Sequence, residues 1–297
     1  MKIYENFDSS KYIQKEVLNT CIGGFDGMHQ GHQELIKSAT KFNDDYQIVT
    51  FDTLPKKFFN NKHKLLTTNE EKIKLIQNFK PVNLVFINFE HVMKFTPNEF
   101  CNMLRTNLKT VNIYVGSDFR FGLDREGDVA YLIKYFGSDA IHIIDDYQLN
   151  NNKISSTLIK SFLSEGKIEL ANDSLGYYFS LSGKVIQGNQ KGKLIGFPTA
   201  NLEINDNLQI PKNGVYEVDV HLNGQDYKGI MNIGYKPTVS QEKKLSLEVH
   251  ILNFNSDIYD SYITVSFKSF IRDEKKFNDI NELKQQISID IESINKN

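Results

Sequence analysis

Residues 23 to 32 read Gly23-Gly24-Phe25-Asp26-Gly27-Met28-His29-Gln30-Gly31-His32, a glycine-rich turn that runs into two histidines three positions apart. Glycine lets backbone N–H groups approach an oxyanion, and the first turn of a helix adds unpaired donors and the positive end of its dipole. His29 and His32 share one helical face. From there two imidazoles can donate hydrogen bonds to charge that builds on a phosphoryl group in a transition state, a preorganised electrostatic role. The plainer reading of the same stretch is a tight turn whose histidines cap or pack.

Two more segments of the first half carry anion-friendly groups. Gly116-Ser117-Asp118-Phe119-Arg120-Phe121-Gly122 follows an apolar run that ends at Val115. Ile154-Ser155-Ser156-Thr157-Leu158-Ile159-Lys160 offers hydroxyls and N–H donors at a helix start, with Lys160 one turn on along the same face. Serine and threonine there also serve as ordinary N-caps.

The elements that must position these groups are legible in the apolar pattern. Val17 to Ile22, Tyr46 to Phe51, Asn83 to Asn88, Val111 to Val115 and Ala140 to Ile144 are short β-rich runs of the kind that form buried parallel strands. Helical spacing falls between them: Leu35, Ile36, Ala39 and Phe42 after the glycine turn, Ile73, Ile76 and Phe79 later. Thr68 to Glu71 and Thr96 to Glu99 read as capping boxes, the second with Pro97 at the first helical position. Alternating strands and helices predict an open, doubly wound parallel sheet with ligands at the carboxyl ends of its strands.

Near residue 178 the pattern changes to period two. Tyr216, Val218, Val220 and Leu222 alternate before an Asn223-Gly224 turn, as do Leu245, Leu247, Val249 and Ile251, and then Ile263, Val265, Phe267 and Ile271. These predict an antiparallel β domain. A helix from about Asp279 closes it, with Ile280, Leu283, Ile287, Ile291 and Ile294 as an apolar stripe. Two helical segments, Thr157 to Glu165 and Lys167 to Leu175, form the connection, stopped by Gly166 and Gly176. The domains are therefore expected at residues 1–177 and 178–297.

Bulk properties narrow the partners. A chain of 297 residues with 24% charged residues, a formal net charge of −2 and a pI near 6.4 gives no electrostatic reason to expect nucleic acid or an anionic membrane. Lys56-Lys57, Lys62 to Lys64 and Lys72 to Lys74 read as a solvated basic face. Cys21 and Cys101 sit in apolar patterns with neither metal spacing nor a disulfide framework. With no signal-peptide core and no bilayer-length apolar run, a cytoplasmic protein is expected, as a monomer or weak homo-oligomer.

The first half resembles the adenylyltransferase module of the bacterial bifunctional riboflavin kinase/FMN adenylyltransferase (FAD synthetase) family. The pattern G-x-F-D-G-x-H-x-G-H is met at every fixed position, and the Asp118 and Ser155-Ser156-Thr157 segments match as well. The second half resembles that family's riboflavin kinase module. Gly183, Gly188 and Gly192 lead to Gly196-Phe197-Pro198-Thr199-Ala200-Asn201-Leu202, followed by Gly214-Val215-Tyr216, Asn232-Ile233-Gly234 with Pro237-Thr238, Glu248-Val249-His250, and Phe270 to Phe277. The resemblance implies a Rossmann-like nucleotidyltransferase domain and a six-stranded antiparallel β-barrel with a terminal helix. It implies phosphorylation of riboflavin by ATP to FMN and then adenylylation of FMN to FAD, with Mg²⁺ required.

By the same resemblance His29, His32, Ser156 and Thr157 hold ATP phosphates, Gly23, Phe25, Asp26, Gly27, Gly31 and Lys160 belong to that ATP site, and Asp118 lies by the nucleotide. Gly188, Gly192, Gly196 and Pro198 would contact ATP in the kinase. Thr199 and Asn201 would bind Mg²⁺, and Glu248 would be the base for the riboflavin 5′-hydroxyl. Arg120, Phe121, Asn232, Arg272, Glu274 and Phe277 would contact flavin. The residues fit parts of this. Thr199 and Asn201 are hard oxygen ligands or, more plainly, turn residues after Pro198. Strand alternation puts Glu248 beside Ser246 and His250, away from Leu247 and Val249, where it can act as a base or simply be wet.

Three positions depart from the family pattern. Phe51-Asp52-Thr53-Leu54-Pro55 stands for Phe-Asp-Pro-His-Pro, Lys160 for an arginine, and Asp260 for a glycine. Two alternatives stay open: a riboflavin kinase whose adenylyltransferase module is weak or inactive, and a flavin-binding sensor.

Overall fold

Six short strands in the first half pair in parallel, the inner ones carrying the near-continuous apolar runs of strands buried on both faces. The computed structural model describes residues 1–14, 17–41, 45–149, 151–188, 192, 196–237 and 243–295. Phe42 and Thr238, singled out above, lie outside the described residues. The strands are β1 (Lys2–Phe7), β2 (Val17–Ile22), β3 (Tyr46–Phe51), β4 (Asn83–Ile87), β5 (Thr110–Gly116) and β6 (Ile141–Ile144). Their order is β1-β4-β3-β2-β5-β6. The chain winds outward from β2 through β3 and β4, then returns to the other side of β2 with β5. That reversal beside β2 is the topological switch point, where open α/β sheets bind ligands.

Helices α1 (Gln30–Thr40), α2 (Pro55–Phe59), α3 (Asn69–Gln77), α4 (Phe89–Val92), α5 (Pro97–Thr106) and α6 (Val129–Phe136) run between the strands. Adjacent strand residues serve opposite faces of the sheet. Cys21, Ile48, Leu84 and Tyr114 pack with Leu35, Ile36 and Ala39 of α1 and Ile76 of α3. Their neighbours Ile22, Val49, Val85 and Val115 pack with Phe100, Met103 and Leu104 of α5 and Leu132 of α6. Both expected capping boxes form, Thr68 with Glu71 and Thr96 with Glu99. A hairpin of β7 (Gln148–Leu149) and β8 (Asn152–Lys153) precedes α7 (Ser156–Glu165) and α8 (Ile168–Leu175).

The chain divides into two compact units, Met1–Ser156 and Thr157–Asn297. The break falls at the start of α7, so the two helices expected to form a connection pack with the second unit. There Asn172 donates through Nδ2 to the Phe267 carbonyl at 2.9 Å and accepts from the Phe179 N–H at 2.7 Å.

The second unit is a closed antiparallel barrel of β9 (Ser180–Ile186), β10 (Ala200–Ile204), β11 (Gly214–Leu222), β12 (Gln225–Pro237), β13 (Lys243–Ile251) and β14 (Tyr262–Arg272), ordered β10-β13-β12-β11-β14-β9. Tyr216, Val218, Val220, Met231, Ile233, Val249, Val265 and Phe267 are its buried alternating set. Asn223 and Gly224 both take positive φ, 50° and 80°, in the two-residue turn between β11 and β12. A terminal helix, Ile280–Asn295, lays Ile291 and Ile294 over Val215 and Ile230. Cys21 and Cys101 are buried free thiols. No helix among the described residues is long and apolar enough to cross a membrane.

Candidate active sites

The glycine turn leaves β2 at the switch point, and its conformation explains its residues. Phe25, Gly27 and Met28 all have positive φ, and a Cβ on Gly27 would lie 2.6 Å from Leu66. Three of the residues expected in the ATP site also hold the turn itself. Phe25 is fully buried against Gly23 and the His32 ring. Asp26 turns its carboxylate inward to accept the Leu66 N–H at 2.7 Å, and the Gly27 N–H goes to Thr67 Oγ1 at 3.2 Å. The Gly23 N–H continues the sheet by donating to the Val49 carbonyl.

What the turn presents is the pair of imidazoles. His29 and His32 stack with ring centroids 3.6 Å apart and planes 21° apart. A Cβ on Gly31 would come 3.3 Å from His29 Nδ1, so glycine there leaves room for the ring. Burial pushes the His29 imidazole down to about 4, partly opposed by Asp26. It pushes His32 well below the usual histidine range, and the neighbouring His29 and Lys72 add to this. Both rings are therefore neutral at pH 7. Their Nδ1 atoms are buried and have no hydrogen-bond partner among the described residues. His29 is also the N-cap of α1 and makes no side-chain cap hydrogen bond.

Ser156 ties the Ser-Ser-Thr segment to the turn, donating through Oγ to the Asp26 carbonyl at 2.9 Å. Thr157 and Lys160 lie along the first turns of α7. Asp118 is exposed after β5 and pairs with Lys153 at 3.4 Å, which also pairs with Asp146 at 2.8 Å. Arg120 is exposed and bonds the Phe119 carbonyl. Phe121, expected at the flavin, packs into the core with Phe100 and Phe119 and supports the loop from below. Leu54, where the family has an imidazole, lies against Gly24.

Lys72 corrects the reading of the basic stretch as a solvated face. It is 2% exposed, and its Nζ donates to the Gly24 carbonyl at 3.0 Å. Charge alone reads as surface, and only the fold reveals that this lysine points under the turn.

In the barrel, pairing register assembles the site. Glu248 on β13 pairs with Asn201 on β10 and with Asn232 on β12, and Asn232 pairs in turn with Val215, which pairs with Arg272. Residues in one cross-strand row share a face, so Asn201, Glu248, Asn232 and Arg272 stand together opposite the apolar interior. Thr199 Oγ1 donates to Glu248 Oε2 at 3.2 Å, and Ser246 Oγ donates to Oε1 at 3.0 Å. His250 Nδ1 meets the Pro198 carbonyl at 2.7 Å, and its ring meets Phe197 edge to face.

The glycines of this half are explained by close approach. A Cβ on Gly188 would lie 2.0 Å from Asn201 Nδ2, and one on Gly192 would lie 2.3 Å from the Phe197 carbonyl. Gly196 has φ +87°. Glu274 folds its carboxylate over Gly234, and the Arg272 guanidinium sits 5.8 Å from the Phe277 ring. Asp260 takes a left-handed conformation, with φ 63°, of the kind that favours glycine, and pairs with Lys184.

Two features of this half carry no sequence signal. Arg272 forms a two-pronged ion pair with Asp290, which is 3% exposed on the terminal helix. A cavity of about 210 Å³ opens beside Pro198 and Thr199, walled by Val249, Ile251, Phe254 and Tyr259.

Taken together there are two candidate centres, one at the switch point of a doubly wound sheet and one on a six-stranded barrel, the organisation of a two-part transferase. Residues 11–158 match the FAD synthetase family model, and residues 175–297 match the riboflavin kinase family model. The chain is 42% identical to the bifunctional riboflavin kinase/FMN adenylyltransferase of Buchnera aphidicola subsp. Schizaphis graminum, over all of this chain and 98% of that one. It is 34% identical to the protein of that name from Listeria monocytogenes, over 91% of this chain and 89% of that one. A solved structure from Streptococcus pneumoniae, described as a macrolide-efflux protein, superposes with a TM-score of 0.88 at 28% identity over 98% of both chains. The chain belongs to the bifunctional riboflavin kinase/FMN adenylyltransferase family.

Proposed function

We propose that the chain carries out its family's two reactions in its two halves, adenylyl transfer in residues 1–177 and phosphoryl transfer in residues 178–297. The reading rests on one observation: each half has its own centre fitted to phosphate. One has two neutral imidazoles stacked at a helix N-terminus beside a glycine turn. The other has a carboxylate held between Thr199 and Ser246 in a row with Asn201 and Asn232.

In the barrel, Glu248 takes the proton from the riboflavin 5′-hydroxyl as that oxygen attacks the γ-phosphorus of ATP, releasing ADP and FMN. The oxygens of Thr199 and Asn201, with Asn201 packed against Gly188, suit a hard cation. Among the described residues no cluster of three or more His, Cys, Asp or Glu offers another metal site. These two residues would hold Mg²⁺, which when bound neutralises phosphate charge. Asn232, Arg272, Glu274 and Phe277 orient the flavin. Gly188, Gly192, Gly196 and Pro198 let the backbone approach the phosphates, and the cavity beside Thr199, part apolar and part polar, takes the nucleoside end of ATP.

In the first half an FMN phosphate oxygen attacks the α-phosphorus of ATP, and the bond to the β-phosphate breaks with loss of pyrophosphate. No proton abstraction from a carbon or hydroxyl is needed, so positioning and charge stabilisation carry the step. His29, His32 and Ser156 bind the triphosphate, and Asp118 and Arg120 border the nucleotide and flavin. The partners are small molecules, with neither nucleic acid nor membrane, and the protein works in the cytoplasm as a monomer or weak homo-oligomer.

Incubating the protein with riboflavin, ATP and Mg²⁺ and separating the flavins tests this. FMN should appear first and FAD after it. Absence of both overturns the reading, and accumulation of FMN without FAD, also when FMN is supplied, favours the kinase with an inactive first half.

A further inference from the structure

We propose that Lys72 is a positioning residue of the adenylyl-transfer site, holding the Gly24 carbonyl inward and fixing a positive charge behind the turn that receives the ATP phosphates. The inference rests on the reading of that turn as the ATP site.

Three observations carry it. First, Lys72 is almost wholly buried, and burying an ammonium is expensive unless it is paired or put to use. Its hydrogen bond goes to a neutral carbonyl, Gly24 O at 3.0 Å, while the nearby Asp26 carboxylate is turned to the Leu66 N–H. Second, that carbonyl is held by two donors, Lys72 Nζ and Thr50 Oγ1 at 3.2 Å. A trans peptide points its C=O and the following N–H to opposite sides, so an inward Gly24 oxygen aims the Phe25 N–H outward. Third, His29 and His32 are neutral, so they contribute hydrogen-bond donors without charge. A triphosphate also calls for a cation, and Lys72 lies close enough to His32 to depress its protonation further.

The groups that face the ammonium are Asp26 and His32 from the turn and the Phe86 ring from β4 at 5.9 Å. Glu71, its neighbour on α3, is committed to capping Thr68. Burial pushes Lys72 down to about 8, partly opposed by Asp26. In the free enzyme the charge behind the turn is then lost in the mildly alkaline range, where an ordinary lysine keeps it.

The test is kcat/KM for FMN adenylylation, which reports groups of the free enzyme, followed from about pH 6.5 to about pH 9.5. Wild type, Lys72→Arg and Lys72→Gln are compared, with riboflavin phosphorylation measured on the same samples. Wild type should lose activity as pH rises through about 8. Lys72→Arg, whose guanidinium stays charged, should keep its plateau to the alkaline end. Lys72→Gln should fall on the order of 10²-fold without an alkaline limb, as for loss of one preorganised electrostatic contact. FMN formation should be unchanged in all three.

A wild-type profile flat to the alkaline end, or a Lys72→Gln protein as active as wild type, would overturn the inference. If Lys72→Gln does not fold, the wild-type and Lys72→Arg profiles decide. Wild type that makes no FAD from FMN would overturn the ATP-site reading beneath it.

Discussion

Thr199 Oγ1 donates to Glu248 Oε2 across 3.2 Å, linking the residue after the Phe-Pro turn to the carboxylate at the centre of the barrel's polar row. With Ser246 on the other oxygen, the carboxylate is held in one rotamer, as a general base must be before its substrate arrives. Glu248→Gln keeps the shape and removes the carboxylate proposed as the base. FMN formation should fall by about 10²-fold or more, while conversion of supplied FMN to FAD is unchanged. Loss of both activities in folded protein would contradict independent sites.

His250 acts one step further back. Its Nδ1 meets the Pro198 carbonyl at 2.7 Å, so that nitrogen carries the proton and pins the turn that delivers Thr199 to Glu248. His250→Leu removes the donor and should weaken kinase kcat/KM roughly fivefold, the scale of one neutral hydrogen bond of about 1 kcal/mol. The loss should appear mainly in KM for ATP. His250→Asn, whose amide can reach the position of Nδ1, should restore most of it; no difference between the two variants would refute the role.

The histidine pair gives a pH prediction. His29 is held down to about 4, so between that value and the ordinary 6.5 the unfolded chain binds a proton that the folded chain refuses. Stability therefore falls as pH drops through that window, by up to about 3 kcal/mol for this residue, and His32 pulls the same way. Denaturant melts at pH 7 and pH 5 should show the loss, and His29→Gln should reduce it. His32→Ala should cut FAD formation on the order of 10²-fold and leave FMN formation intact.

Local chemistry was the part of this molecule most legible in sequence. Both capping boxes, the Asn223-Gly224 turn and the strand alternation that isolates Glu248 depend on neighbours a few residues away, and all stand in the structure. Strand β1 escaped because Lys2, Glu5 and Asn6 on a sheet edge leave no apolar run. Lys72 and Asp290 escaped for a different reason. Whether a lysine is solvated or an aspartate is buried is decided by what another element places against it.

Asp290 supplies the last prediction. It takes both prongs of Arg272, Nε at 3.0 Å and Nη2 at 2.8 Å, and accepts Gln286 Nε2 at 3.0 Å. Arg272 sits at the end of the row that holds Glu248, so the terminal helix fixes the guanidinium at the barrel's candidate site. Removing one partner leaves the other charge uncompensated in a largely buried place, which typically costs about 3 kcal/mol or more. Asp290→Ala should therefore lower the barrel's stability by about that amount. Because Arg272 loses its tether, KM for riboflavin should rise more than kcat falls. Adenylylation of supplied FMN should hold at wild-type rate, and the double variant Asp290→Ala with Arg272→Met should recover part of the stability while the kinase stays impaired. A double variant that regains full kinase activity would mean that Arg272 braces the helix and does not serve the flavin.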